Sequence, residues 1–180
     1  MNGQLFQGAR VRLTALTKDD LPAITRFYQD STFARLFDAT PAYPREAAHW
    51  EKWFEDEQKE DNAYMFAIRT GETFLGWLKL ESILWAHRVA WLSIAIGDPA
   101  QRGKGYGHEA LTLLLTFAFD ELNLHRVQLT VFAYNERAIR LYERLGFVRE
   151  GTFRQFLQRD GERHDMLLYG LLRDEFVRGG

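Results

Sequence analysis

The sequence predicts a mixed α/β fold in which about four helices pack against one sheet of about seven strands. Two observations predict it: helical and strand periodicities are interspersed along the chain, and short turns join several successive strands into hairpins. Hairpins give antiparallel pairs and helical crossovers give parallel ones, so we expect a mixed sheet rather than a fully parallel one. The chain of 180 residues suffices for one domain with a sizeable core, and we assign residues 1–180 to it.

The N-terminal part predicts a strand followed by two helices. Residues 9–15 are predicted as a strand because Val11 and Leu13 alternate with polar neighbours. The first helix is predicted to begin at Thr17, as N-cap, with Asp20 in the capping-box position. The second is predicted over Pro44–Gln58, and the stretch around 30–62 otherwise carries little signal. Apolar residues at helical spacing support both helices: Leu21, Ile24, Phe27 and Tyr28 in the first, and Ala47, Trp50, Trp53 and Phe54 in the second.

The middle of the chain predicts a hairpin, a buried strand and the longest helix. The hairpin strands are Tyr64–Arg69 and Phe74–Leu80, with a glycine-containing turn between them. Val89–Ile96 is apolar and rich in branched residues, which is typical of a largely buried strand. The helix is predicted over Gly105–Leu122, and one of its faces carries Leu111, Leu114, Leu115 and Ala118.

The C-terminal part predicts one more strand and helix, and then a closing hairpin. The strand is Arg126–Tyr134, and the helix begins at Asn135, its N-cap, and stops at Gly146. The last two strands are predicted at about 147–157 and 163–171, with an Asp-Gly turn between them.

Composition excludes several classes of function. The formal net charge of −2 gives no basic excess, so we expect no nucleic-acid partner. The chain has no cysteine, and its five histidines lack metal-ligand spacing, so we expect no metal. The first residues lack a secretory signal, and no run of about 18 apolar residues predicts a membrane span. We therefore expect a protein of the cytoplasm with no membrane partner.

One glycine-rich turn, at residues 102–107, predicts an anion site. It has the sequence Arg-Gly-Lys-Gly-Tyr-Gly and lies between the buried strand and the long helix. Alternate glycines let backbone amides approach a ligand, and the helix N-terminus adds partial positive charge, which together suit a diphosphate. The Rossmann pattern Gly-x-Gly-x-x-Gly and the P-loop pattern Gly-Lys-Ser/Thr both disagree with this spacing. A turn with no ligand is the remaining alternative from these residues alone.

Two sequence blocks resemble the GCN5-related N-acetyltransferase (GNAT) superfamily. The turn is similar to the loop that binds the acetyl-CoA pyrophosphate in that family. The block Asn135–Phe147 resembles the family pattern Asn-x-x-Ala-x-x-x-Tyr-x-x-x-Gly-Phe after the fifth strand. Residues 6–13 and the closing hairpin resemble the branch of ribosomal-protein N-terminal acetyltransferases and spermidine acetyltransferases. The resemblance covers nearly the whole chain and implies the GNAT fold, a mostly antiparallel sheet with splayed central parallel strands.

The resemblance also implies acetyl-CoA as co-substrate and direct transfer of its acetyl group to an amine. The end of the fourth strand would present backbone groups to the pantetheine and the acetyl carbonyl, and the turn would hold the pyrophosphate. Asn135 would contact the pantetheine arm. The predicted CoA-binding residues are Ala95, Ile96, Gly97, Arg102, Gly103, Lys104, Gly105, Tyr106, Gly107, Asn135, Ala138 and Leu141.

Proton transfer needs an acid and a base. Tyr142 matches the family tyrosine that protonates the departing thiolate, and a phenol of pKa about 10 is protonated at neutral pH. Many relatives carry a glutamate early in the fourth strand, where this chain has Trp91. Glu81 and His87 are the substitute candidates for the base, and a water chain with no single base is the alternative.

The acceptor is expected to be a peptide or protein N-terminal amine. The alternatives are a small amine, such as a polyamine, an aminoglycoside or an amino acid, and a non-catalytic acyl-CoA sensor. The five tryptophans are expected in the core or at a subunit contact, or else in an aromatic acceptor pocket. A homodimer is a further expectation.

Overall fold

The computed structural model describes residues 4–177 and contains seven strands and five α-helices in that range. The predicted fold class is confirmed, with one helix more than expected. In chain order the elements are β1 (Arg12–Thr14), α1 (Leu21–Gln29), α2 (Ser31–Phe37), α3 (Ala47–Glu57), β2 (Tyr64–Thr70), β3 (Thr73–Leu84), β4 (Val89–Ile96), α4 (Tyr106–Thr116), β5 (Arg126–Phe132), α5 (Glu136–Arg144), β6 (Val148–Arg159) and β7 (Glu162–Leu172).

The seven strands form one sheet in the order β1-β2-β3-β4-β5-β7-β6. The pair β4–β5 is parallel, and every other neighbouring pair in this sheet is antiparallel. β4 and β5 pair only where they begin, through Val89–Arg126, Ala90–Val127 and Trp91–Gln128. β4 stays paired with β3 as far as Ile96, and β5 stays paired with β7 as far as Phe132. The two halves of the sheet therefore diverge, which confirms the predicted splay.

Helices cover both faces of the sheet. On one face, α4 and α5 share a core with strand residues such as Leu129, all of them withdrawn from water. On the other, α1 and α3 bury Ile24, Tyr28 and Trp50 against Trp77 of β3. In α1 the buried residues recur every three or four positions, so that a single stripe of the helix faces the sheet. Each large side chain buried in this way contributes roughly 1.5–3 kcal/mol.

Several predicted boundaries differ from the observed ones. β1 has three residues, and the backbone N–H groups of Arg10 and Val11 just before it donate to Glu109 Oε1. α4 ends at Thr116 and continues as a π-helical turn, in which the Leu122 N–H donates to the Phe117 carbonyl at 3.1 Å. α2 was not predicted. Within residues 4–177 no helix combines the length and apolar character needed to cross a bilayer, and the cytoplasmic location stays a prediction.

Candidate active site

A cleft of about 1390 Å³ opens where β4 and β5 separate. The diverging halves of the two strands, the glycine-rich turn and α5 line one end of it. Helices α2 and α3 and strand β3 line the other end. Eleven of the fifteen site residues predicted from the sequence line this cleft; the other four are His87, Gly97, Lys104 and Tyr106.

The glycine-rich turn adopts a left-handed backbone conformation that glycine permits. Gly103 and Gly105 have φ values of +79° and +87°, in the left-handed region that other residues seldom adopt. Gly105 is the N-cap of α4, so the free amides of the first helical turn follow it directly. Gly107 packs closely under Leu141 of α5, whose Cδ2 lies 3.4 Å from the position that a Cβ would take. The turn thus offers the exposed amides that a diphosphate needs.

A partly buried ion pair holds the turn from behind. Glu109 accepts hydrogen bonds from the backbone N–H groups of Arg10 at 2.7 Å and Val11 at 3.2 Å, and from Arg10 Nε at 3.0 Å. Burial acts to raise the pKa of Glu109, but these hydrogen bonds outweigh it and hold the pKa below the ordinary value. Arg10 Nη1 then donates to the Lys104 carbonyl at 2.8 Å, which fixes the turn.

The Arg102 side chain points toward β4. Its Nε donates to the Ile96 carbonyl at 2.9 Å and its Nη2 to the Gly97 carbonyl at 2.6 Å. Its guanidinium also lies 5.7 Å from the centre of the Phe33 ring. Arg102 therefore ties the end of β4 to the turn. Its predicted contact with the pyrophosphate stays a prediction.

The end of β4 presents backbone amides to the cleft. The Gly97 N–H donates to the Leu75 carbonyl of β3 at 2.9 Å. Successive N–H groups of a strand point to opposite edges, so those of Ile96 and Ile94 point toward β5, where β4 has no pairing partner. Gly97 admits no side chain, because the Phe27 ring lies 2.1 Å from the position of a Cβ. Ala95 is buried on the face covered by α1 and α3.

Helix α5 brings the predicted tyrosine to the cleft. Asn135 caps the helix by accepting from the Ala138 N–H at 3.3 Å, and its side-chain amide donates to the Leu36 carbonyl of α2 at 3.3 Å. Tyr142 is 6% exposed, and its ring packs against Phe147 at 5.8 Å. Burial raises the pKa of Tyr142 above its ordinary value, so the phenol is protonated at neutral pH and can donate a proton.

The opposite end of the cleft combines aromatic rings with charged groups. Trp77, Lys79 and Glu81 alternate along β3 and share one face, directly across from Ala95, Ser93 and Trp91 of β4. Lys79 Nζ lies 2.6 Å from Glu57 Oε2 and 3.2 Å from Glu81 Oε2. The β3–β4 register shifts just beyond Glu81, where Ser82 has a φ of +50°. This bulge ends the regular strand next to the cleft.

A family comparison identifies this arrangement. The family model described as acetyltransferase (GNAT) domain matches residues 10–148, from just before β1 to the start of β6. The chain belongs to the GNAT acetyltransferase family. It is therefore an acetyl-CoA-dependent N-acetyltransferase, as its sequence predicted.

Individual relatives agree with the GNAT assignment. The chain is 28% identical to the SPbeta prophage-derived uncharacterized N-acetyltransferase YokL of Bacillus subtilis strain 168, over 95% of this chain and 94% of the relative. It is 31% identical to a spermidine N(1)-acetyltransferase of Vibrio cholerae, over 59% of this chain and 61% of the relative. The crystal structure of the V. cholerae spermidine N-acetyltransferase with CoA and spermine superposes with a TM-score of 0.84 at 25% identity, covering 93% of this chain and 98% of that one.

Three arginines of this GNAT enzyme were missed as site residues. Arg137, Arg140 and Arg144 of α5 line the cleft and are exposed. Their spacing of three and four residues puts them on one side of the helix, and that spacing was the signal in the sequence. Such a row of cations suits a ligand with several phosphate groups.

The two candidate bases lie in different places. Glu81 lines the cleft, and 38% of its side chain is exposed. His87 lies in the exposed turn between β3 and β4, outside the set of cleft-lining residues, so we do not retain it as a candidate. Of the tryptophans, Trp50 and Trp77 are buried core residues that also line the cleft beside Trp53 and Trp91, whereas Trp85 is exposed. The expectation of a core position is confirmed for Trp50 and Trp77, whereas the aromatic acceptor pocket stays a prediction.

Proposed function

We propose that this GNAT enzyme acetylates the primary amine of a small molecule in a ternary complex with acetyl-CoA. The sequence had favoured a peptide or protein N-terminus and kept a small amine as the alternative. The likeness to an enzyme solved with CoA and spermine supports the alternative. So does the shape of the acceptor end of the cleft.

The observation that carries the proposal is a bridge beside the acceptor end, to a segment whose Asp38 and Ala39 line the cleft. Arg159 of the C-terminal hairpin donates through Nη2 to the carbonyls of Asp38 at 2.9 Å, Ala39 at 3.2 Å and Thr40 at 3.3 Å. An ion pair of 2.5 Å between Arg35 and Asp160 adds to it. The bridge joins the segment after α2 to the β6–β7 hairpin. Because this bridge fixes one wall of the cleft, it favours a small acceptor over a protein N-terminus, which needs an open groove.

The splayed strands and the turn bind the co-substrate. Backbone amides of the turn and the first turn of α4 bind the diphosphate, and Arg137, Arg140 and Arg144 add positive charge. The pantetheine lies between β4 and β5, where the amides of Ile94 and Ile96 lack strand partners. An amide at this edge donates to the acetyl carbonyl oxygen and stabilises the oxyanion of the tetrahedral intermediate.

The acceptor amine attacks the thioester carbonyl in its neutral form. Glu81 accepts, directly or through water, the proton that the amine releases, since its carboxylate lines the cleft and reaches solvent. The intermediate then collapses: the C–S bond breaks, the amide bond remains, and Tyr142 donates its proton to the thiolate of CoA. The products are an acetamide and CoA, and Tyr142 is reprotonated from solvent.

A two-panel rate assay tests the proposed acceptor. Thiol release from acetyl-CoA is measured with small primary amines and with peptides that carry a free α-amine, with N-acetylated peptides as the blank. We expect kcat/KM for the best small amine to exceed that of the best peptide by about 100-fold, the scale of productive positioning. A peptide that outperforms every small amine would overturn the proposal. Binding of CoA without turnover on either panel would instead indicate the non-catalytic sensor.

A further inference from the structure

A buried lysine lies among the acceptor-side groups of the cleft. Lys79 is 8% exposed as a residue and sits in the run Trp77-Leu78-Lys79-Leu80, whose other members are apolar and buried. Its ammonium contacts both Glu57 and Glu81, at 2.6 Å and 3.2 Å. A buried ammonium needs such partners, because an unpaired one would lose its hydration without compensation.

Lys79 remains charged at neutral pH. Burial alone would lower the pKa of Lys79, but hydrogen bonds and charges from Glu57 and Glu81 outweigh burial and raise it. The lysine therefore neutralises one of the two carboxylates beside it. The other charged groups at this end of the cleft, Asp38 and Arg45, lie 3.9 Å apart and cancel each other. Among the described residues that line the acceptor end, the charges sum to one negative unit; Arg159 lies outside this lining, and its guanidinium is bound to three backbone carbonyls.

The apolar lining of the same end is aromatic. Trp53 and Trp77 face the cleft with ring centres 6.1 Å apart, and Phe37 packs on Trp77 at 5.3 Å. Rings of this kind accept hydrocarbon chains and one cation, but supply no full negative charge for a second ammonium.

We propose that Lys79 restricts the acceptor to an amine with a single cationic centre and an apolar remainder. This inference rests on the proposed function, since it assumes a small amine at this end of the cleft. The acceptor binds as an ammonium, before it gives up the proton for attack. In that binding complex one ammonium balances the net charge of the pocket, whereas a second one brings uncompensated positive charge close to Lys79. The enzyme should therefore select a monoamine over a diamine or polyamine of the same length.

Butylamine and 1,4-diaminobutane form a matched pair of probes, because they share a four-carbon chain and differ by one ammonium. Dissociation constants are measured by calorimetry on the complex with CoA, and kcat/KM is measured with acetyl-CoA. We expect the wild type to prefer butylamine by about tenfold, the effect of one unit charge near 10 Å at an effective dielectric constant of about 20. Lys79→Met keeps the side-chain volume and removes the charge, and should move the preference by about tenfold toward the diamine.

A charge-restoring double variant separates this effect from damage to the fold. Lys79→Met with Glu57→Gln returns the pocket to one negative unit, so the preference for butylamine should return, and Lys79→Arg should keep it. A wild type that prefers the diamine, an unchanged ratio in Lys79→Met, or a double variant that behaves like the single one would overturn the inference. Failure of both probes to bind would also overturn the inference. Selective binding without turnover would refute only the proposed function.

Discussion

Replacing Glu109 by alanine tests the ion pair that holds the glycine-rich turn. The substitution removes the acceptor of two backbone N–H groups and one guanidinium group. The N–H of Arg10 is exposed and can bind water instead, so its loss has little effect. The N–H of Val11 is partly buried, and leaving it unpaired costs about 1–3 kcal/mol. The ion pair adds about 0.2–1 kcal/mol, because half of the Arg10 side chain is exposed.

The expected loss is therefore about 2 kcal/mol, or a fall in Tm of roughly 4–8 °C for a chain of this size, measured by calorimetry. The loss should depend on pH. The pKa of Glu109 is lower in the folded state than its ordinary 4.5, so its contribution is complete above pH 4.5 and disappears as the pH falls through the folded-state pKa. The Tm difference between wild type and variant should shrink in acid accordingly.

Glu109→Gln is the matched control. It keeps one oxygen for the backbone N–H groups but no titrating charge, so it should lose less stability at pH 7 and show no acid-dependent contribution. Because Arg10 also holds the Lys104 carbonyl, the alanine variant should bind CoA several-fold more weakly. A Tm for Glu109→Ala within about 1 °C of wild type, or a difference that is the same at pH 7 and in acid, would refute the reasoning.

Three further predictions concern the catalytic acid, the turn and the cationic side of α5. Tyr142→Phe should lower kcat about 100-fold with Tm unchanged, since only the hydroxyl is lost, and steady-state rates within twofold of wild type would rule out the acid role. Gly105→Ala should lower Tm more than Gly103→Ala: both have positive φ, but the new Cβ at Gly105 would lie 2.8 Å from Arg10 Nη2, while nothing lies within 4 Å at Gly103. Equal Tm losses would contradict the packing argument. Arg137→Gln should raise the Kd for CoA about threefold and weaken its salt dependence, and titrations with the wild-type salt dependence would contradict a phosphate contact.

The elements that sequence reasoning predicted well have long periodic patterns or contiguous motifs. Helix α5 illustrates this, because Asn135 caps it and Tyr142 follows at a fixed helical spacing. α2 was missed because seven residues are too few for a periodicity. Its N-cap, Asp30, accepts from the Thr32 N–H at 2.9 Å, and that was the one local signal. Tertiary contacts also hold α2, among them the hydrogen bond of 2.6 Å from the Tyr134 hydroxyl to the Arg35 carbonyl.

In the candidate site, too, contiguous motifs were predictable and tertiary contacts were not. The glycine-rich turn was predictable because its residues are consecutive and their chemistry is local. The ion pair between Lys79 and Glu57 was not, since it joins a strand to a helix that lies earlier in the chain. The sequence nonetheless held one signal: a lysine inside an otherwise apolar strand indicates a buried charge that needs a partner. The orientation of Arg102 toward β4 also depends on a tertiary contact that no motif encodes.

The gap between β4 and β5 limits the stability that this sheet can reach. Three paired positions hold the two halves of the sheet together, and each further pair would add stability. Closing the gap would also remove the space in which we propose that the thioester binds. Substitutions meant to raise heat resistance must therefore lie at a distance from this seam.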